Sequence, residues 1–383
     1  MLVLQDPLRL CEDPLMVPGP IVSILELLDG TRGLDAVRVG FELRTGISIP
    51  ASQLEAFVGS LDEALLLDNQ RFRSARDEAL VSYQSGPFRT PALAGAGYPM
   101  EDTELSAVLD EYCRNAAVDG AVPGEPVVGL ISPHIDFARG WQTYARTWVQ
   151  AREAVEEADV IILLGTDHSG SPGALTLTRQ NYATPWGVLP TDIPLVDRLT
   201  DILSEERAFA EEVHHIGEHS IELAAVWLHY IAGGKPKRLL PILCGPHGAL
   251  MDPEDGDTGR LEEALSLLAE VATGPRTLTV AAGDVSHVGP VFGDPLPLSP
   301  SLKADIQAAD EQWLQLACSG NSALLLEHMQ REGDPTRICG AAPIQYMLTM
   351  LEGAKGRIVS YDQCPADDEF GSLVSVAGVL FTI

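Results

Sequence analysis

Histidines recur at one kind of place in this chain. His134 in "SPHIDFARG", His168 in "LLGTDHSG", His247 in "CGPHGALMDP" and His287 in "AAGDVSHVG" each follow closely on an apolar run. One loop histidine is weak evidence, but several at equivalent positions can act together. Neutral imidazole is the commonest biological metal ligand, and rings on loops from fixed strands can reach the ~2.0–2.1 Å that a metal such as zinc requires. His247 sits in a Gly- and Pro-rich loop expected to veer away, which leaves His134 and His168 as candidate ligands. "GDVSH" adds Asp284 three residues before His287, where a carboxylate could ligate a metal, orient an imidazole or accept a proton. Capping the next element is the structural alternative.

Two further segments carry candidates. "GEHSIELAAVWLHYI", residues 217–231, reads as one helix with His219 and Glu222 at i and i+3, on one side near its start. Capping explains Glu218 or Glu222 equally well, and His229, late in the helix, is expected at the surface. In "RICGAAPIQYMLTMLEG" Cys339 stands just ahead of a helix over about Ala342–Glu352. A helix N-terminus lowers a thiol's pKa and favours the thiolate, which is both nucleophile and metal ligand. The other five cysteines lack that setting.

The elements that must position these residues can be read from periodicity. "PVVGLIS", "DVIILLG", "KRLLPILCG" and "TLTVAAG" are continuous apolar strands, separated by helical segments such as Trp141–Glu157 and Leu261–Ala272. Such strands are buried on both faces, the signature of an α/β domain with a mostly parallel central sheet flanked by helices. Ligands of open α/β sheets bind outside the carboxyl ends of the strands, so the exits gather around one crevice. Residues 1–84 read as a small, mostly helical domain with a short hairpin, similar to a winged-helix module, and 88–383 as the α/β domain. Residues 82–99, "SYQSGPFRTPALAGAGYP", have no period and read as a linker or the opening loop of the second domain.

Bulk properties narrow the partners. Lys and Arg number 25 against 55 Asp and Glu, a formal net charge of -30, which repels phosphate backbones and anionic lipid. Nucleic acid and membrane are not expected as partners. No apolar run approaches the roughly 20 residues of a membrane span, so a cytoplasmic location is expected. Six cysteines without CxxC spacing indicate neither a disulfide framework nor a cysteine-only zinc site.

Taken in order, "PALAGAGYP", "SPHIDFARG", "LLGTDHSG", "GEHSIEL", "AAGDVSHVG" and "ICGAAPI" resemble the Memo family, called AmmeMemoRadiSam system protein B in bacteria and archaea. The resemblance runs from about residue 88 to the C-terminus. It implies a fold related to class III extradiol dioxygenases, non-haem iron enzymes that open catechol rings. By that resemblance His134, His168 and Cys339 match residues associated with a bound redox metal, Fe(II) or copper. Asp284 and His287 match its D-x-x-H pair, and His219 and Glu222 its E-H-S-x-E motif, which makes these four the candidate catalytic residues. The chain departs from the family at Ile135-Asp136-Phe137, which puts a carboxylate and Arg139 beside the cleft, and at Ser169, where the family has a second histidine.

Three functions compete. The first is a metal-dependent, dioxygenase-like redox enzyme acting on a small molecule or peptide. Its third ligand is either Cys339 or Asp284, the latter giving the two-His, one-carboxylate triad of non-haem Fe(II) oxygenases. The second is a non-catalytic binding or regulatory protein whose ancestral pocket holds a metal or peptide without turnover, with the N-terminal domain recruiting a protein partner. The third is a metal-free hydrolase with Cys339 as nucleophile and His287 or His134 as base.

Overall fold

A computed structural model of the chain describes residues 2–11, 13–116, 124–247 and 258–383. Two compact units are present, Met1–Ser85 and Gly86–Ile383. In the first, strands β1 (Leu2–Leu4) and β2 (Leu15–Val17) pair antiparallel ahead of four helices, α1 (Val22–Leu25), α2 (Leu34–Thr45), α3 (Ala51–Glu63) and α4 (Gln70–Ser85). Ile24, Leu27, Val37, Phe41, Ile49 and Leu54 form its small core.

The second unit begins with α5 (Asp102–Asn115), β3 (Val127–Ser132), α6 (Phe137–Gln150), α7 (Arg152–Glu157) and β4 (Val160–Thr166). Short strands β5 (Leu175–Leu177), β6 (Tyr182–Thr184) and β7 (Gly187–Leu189) follow, then α8 (Ile193–Leu203), α9 (Glu205–Ala208), α10 (Ser220–Ile231) and β8 (Arg238–Cys244). The remainder is α11 (Thr258–Ala272), β9 (Thr277–Ala282), β10 (His287–Val288), α12 (Pro300–Ala317), α13 (Ser322–Glu332), α14 (Ala341–Met350), β11 (Lys355–Pro365) and β12 (Leu373–Thr382). The segment expected as one helix over Trp141–Glu157 is two, because the chain breaks at Ala151, which ends α6 and caps α7. Asp136 starts α6 by accepting the Arg139 amide, a capping bond that satisfies one of the orphan donors of the first turn.

The main sheet runs β10-β12-β3-β9-β4-β8-β5, with β11 paired to β12. β3, β9, β4 and β8 are mutually parallel and are the four apolar runs of the sequence; β12, β5, β10 and β11 add antiparallel edges. Successive residues of β4 feed opposite faces, as the twofold pleat requires. Ile162 and Leu164 pack with α8, α11 and α14, whereas Ile161 and Leu163 pack with α6, α7 and α10. Each fully buried Ile or Leu of this kind contributes about 1.5–3 kcal/mol, which explains why the strands carry no alternation of polar residues.

Residues 86–99 are not a linker. Arg89 is wholly buried; its guanidinium donates to the carbonyls of His215 (2.8 Å) and Glu218 (2.9 Å) and pairs with Glu222. Glu222 also accepts from the amides of Ala92 and Leu93, both at 2.8 Å, and from the Tyr98 hydroxyl at 2.6 Å. The segment lacks a period because side-chain and backbone bonds to the start of α10, rather than a helix or strand, hold it in place.

Candidate functional site

Three candidate side chains arrive from different strand exits and a fourth from a helix start. His134 follows β3, His168 follows β4, Asp284 follows β9, and Cys339 precedes α14. Two glycines let the last two meet. A Cβ on Gly283 would stand 2.3 Å from the Gly340 Cα, and one on Gly340 2.8 Å from the Asp284 carbonyl oxygen. The Gly340 amide donates to that same oxygen at 3.0 Å. Backbone lies on backbone there, and Cys339 is delivered over the end of β9.

Three imidazoles form the centre. Ring centroids of His134, His168 and His219 lie 5.1, 5.2 and 4.9 Å apart, and one nitrogen of each falls within 4.8 Å of the others. His134 Nδ1 is 3.2 Å from the Ala282 carbonyl oxygen, which only accepts, so the proton sits on Nδ1 and Nε2 keeps its lone pair. The Glu218 carboxylate receives Nδ1 of both His168 and His219 at 3.0 Å, and backbone amides of His168, His219 and Ser220 besides. All three rings are therefore held through Nδ1, which leaves Nε2 as the donor atom, the orientation that carboxylate and carbonyl partners give to metal-binding histidines.

A second triad shares His134. Cys339 Sγ lies 3.1 Å from His134 Nε2, and an Asp284 oxygen 3.8 Å from it, with His134, Asp284 and Cys339 within mutual ligand distance. Asp284, 1% exposed, accepts the amides of His134 (2.9 Å) and Ile135 (3.3 Å), and so also orders the loop after β3. Burial raises its carboxyl above the usual range, with His287 opposing. His287 is held at Nδ1 by the carbonyls of Val285 (3.2 Å) and Arg337 (3.1 Å), and burial lowers its pKa against the pull of Asp284.

Burial, then the nearby His168 and His219, hold His134 well below 6.5, so its ring is neutral. For His168 burial works in the same direction, but the bond and charge of Glu218 outweigh it and raise the pKa. Burial tends to raise Glu218, yet its two imidazole partners hold it well below the carboxylate range. Cys339 departs from expectation. It does stand at the N-terminus of α14, but burial and the Asp284 carboxylate push its thiol well above its ordinary value. A free thiolate is thus disfavoured unless a cation replaces the proton.

Glu222 belongs elsewhere. Although His219 caps α10 and Glu222 follows three residues later, the Glu222 carboxylate is filled by Arg89, Tyr98 and two amides, so it anchors residues 86–98. His229 is buried rather than at the surface, with the Thr184 hydroxyl 2.7 Å from Nδ1. His247 does not veer away: it lines a cavity of about 430 Å³ together with His168 and Cys339. The rest of its loop, 248–257, lies outside the described residues.

Glu218, read from the sequence only as a possible cap, does accept the His219 and Ser220 amides at the start of α10 and also holds two imidazoles. A further group, Asp167, Glu211 and His214, comes within ligand distance, but its members are taken up by one another and by Ser171. The adjacent "DH" and "HH" pairs were its only signal.

Two outcomes follow from these bonds. Glu218→Gln removes the acceptor charge behind two rings and should weaken metal uptake about 10–100-fold without changing the circular dichroism, as a chelator-competition titration would measure. His215, whose ring bonds the Tyr182 hydroxyl and the Thr176 carbonyl, is pushed by burial down to about 4. Its folded pKa is below its unfolded one, so its stabilisation is complete above about 6.5 and is lost as pH falls towards 4. Denaturant melts of wild type and His215→Asn across that window should differ by a slope worth on the order of 2–3 kcal/mol.

The comparisons agree on a family. The pattern of Memo-like proteins matches residues 89–380, and the chain belongs to that family. It is 26% identical to a MEMO1 family protein of Aquifex aeolicus over 99% of this chain and 95% of that one. A Thermus thermophilus MEMO1 family protein is 29% identical over 86% and 93%, and one from Archaeoglobus fulgidus 24% over 77% and 100%. No helix among the described residues is long and apolar enough to cross a membrane.

Proposed function

We propose that this Memo-like chain is a metal-dependent redox protein of dioxygenase-like ancestry, holding Fe(II) or copper at the cluster centred on His134. The observation that carries the reading is the shared His134: a buried, neutral imidazole whose Nε2 faces two histidines on one side and a thiol and carboxylate on the other. Imidazole and thiol donors suit a borderline or soft ion, whereas Mg²⁺ and Ca²⁺ want oxygen. The resemblance points to His134, His168 and Cys339, but within ligand distance His134 groups either with His168 and His219 or with Asp284 and Cys339, so one of these two triads would hold the ion. Such an ion supplies one-electron chemistry to a bound small molecule or peptide.

The chain's own residues do the rest. Glu218 keeps two rings aimed, and Asp284 fixes the His134 loop through two amides. His287, neutral near pH 7 and with Nδ1 locked by two carbonyls, offers Nε2 as a proton acceptor beside Asp284. The metal-free alternative, Cys339 as nucleophile, is disfavoured by the raised thiol. Anaerobic, untagged purification followed by elemental analysis tests the proposal: about one Fe or Cu per chain is expected, and protein that takes up neither would overturn it.

A further inference from the structure

The cavity beside this cluster has a polarity that selects its ligand. It holds about 430 Å³, within the roughly 300–1,000 Å³ of small-molecule sites, and Cys244, Pro246, Met329, Ile338 and Ala341 make much of its wall apolar. Its charged side chains are already paired. Asp167 bonds His214, His168 bonds Glu218, Arg337 pairs with Asp294, and Asp334 accepts the Ile338 amide. What remains open is His247 and the start of α14. His247 is 9% exposed, and no described residue sits at hydrogen-bond geometry to either ring nitrogen, although the Ala341 backbone is near enough to oppose the lowering of its pKa by burial. A neutral imidazole always carries an N–H, and burying it unmet is unfavourable. A half-turn of the ring about Cβ–Cγ crosses only a broad, soft torsion and brings a nitrogen to either edge. Beside it, α14 begins at Ala341, whose amide already donates to the Ile338 carbonyl at 3.2 Å; Pro343 has no N–H, so the Ala342 amide and the helix dipole are what favour negative charge there.

We infer that the cavity binds a small monocarboxylate with an apolar body, its carboxylate received by His247 and the first turn of α14. The inference rests on reading the His134 cluster as the reactive centre, because Cys339 and His168 on the same wall place that centre against the bound molecule. His247 is then a specificity-determining residue and not a metal ligand.

Isothermal titration of the full chain, stripped of metal with a chelator, tests this with benzoate as the acid and benzyl alcohol as its uncharged counterpart. Benzoate should bind at least about tenfold more tightly than the alcohol, His247→Leu should weaken benzoate about tenfold or more, and His247→Gln, which keeps an N–H, should lose less. No benzoate binding, equal binding of the alcohol, or undiminished binding by both variants would overturn it. Iron and copper uptake, measured in parallel, keeps the two readings separate. Wild-type levels are expected in His247→Leu, and lost uptake there would make His247 a ligand and sink this assignment. A wild-type chain that takes up no metal but binds benzoate through His247 removes only the redox reading.

Discussion

His134→Ala should strip the chain of metal more completely than any other single substitution at the site. Both candidate triads contain this residue, so its loss leaves His168 with His219 on one side and Cys339 with Asp284 on the other, two pairs with no common centre. Affinity should fall by more than the roughly 10–100-fold typical of losing a supporting hydrogen bond. His219→Ala and Cys339→Ser each leave one triad intact and should keep a measurable fraction of the metal. Elemental analysis of the three variants, with circular dichroism to establish folding, decides the order. A His134→Ala protein with a full complement would separate the metal from this cluster altogether.

Glu222→Ala should be the most destabilising of the substitutions considered, at about 3–5 kcal/mol, because it leaves the wholly buried Arg89 guanidinium without its counter-ion. Arg89→Met should cost a similar amount by the converse route. The double variant Arg89→Met, Glu222→Leu should be better than the sum of the two. It will still fall short of wild type, since the carbonyls of His215 and Glu218, two amides and the Tyr98 hydroxyl lose partners worth roughly 1–3 kcal/mol apiece. Urea melts of the four proteins give the coupling energy. Because Arg89 also holds the Glu218 carbonyl, the singly substituted proteins should bind metal more weakly even where they fold.

Much of the frame was legible because it follows from short-range rules. Runs such as "VIILLG", short, β-branched and bounded by turn residues, read as strands buried on both faces, and residues at their exits converge whatever the loop lengths between them. What could not be read was decided by contacts across long stretches of chain. Nothing near Glu222 in sequence announces that Arg89 will claim it, 133 positions away. The thiol of Cys339 looked activated from its helix alone, and the carboxylate that reverses that effect comes from the end of β9. His247 was set aside because its loop is rich in glycine and proline, yet composition says little about which way a loop turns. The resemblance supplied the residue set; the hydrogen bonds of Glu218, which explain why those rings share an orientation, came only from the fold.

The touching glycines at 283 and 340 have a consequence for synthesis on the ribosome. The side chains after β3 and β4 emerge well before the thiol, and β3 gains its outer neighbour only when β12 has been made. The group of His134, Asp284 and Cys339 can therefore form only after α14 has been made and packed over the end of β9, whereas His134, His168 and His219 all precede it in the chain.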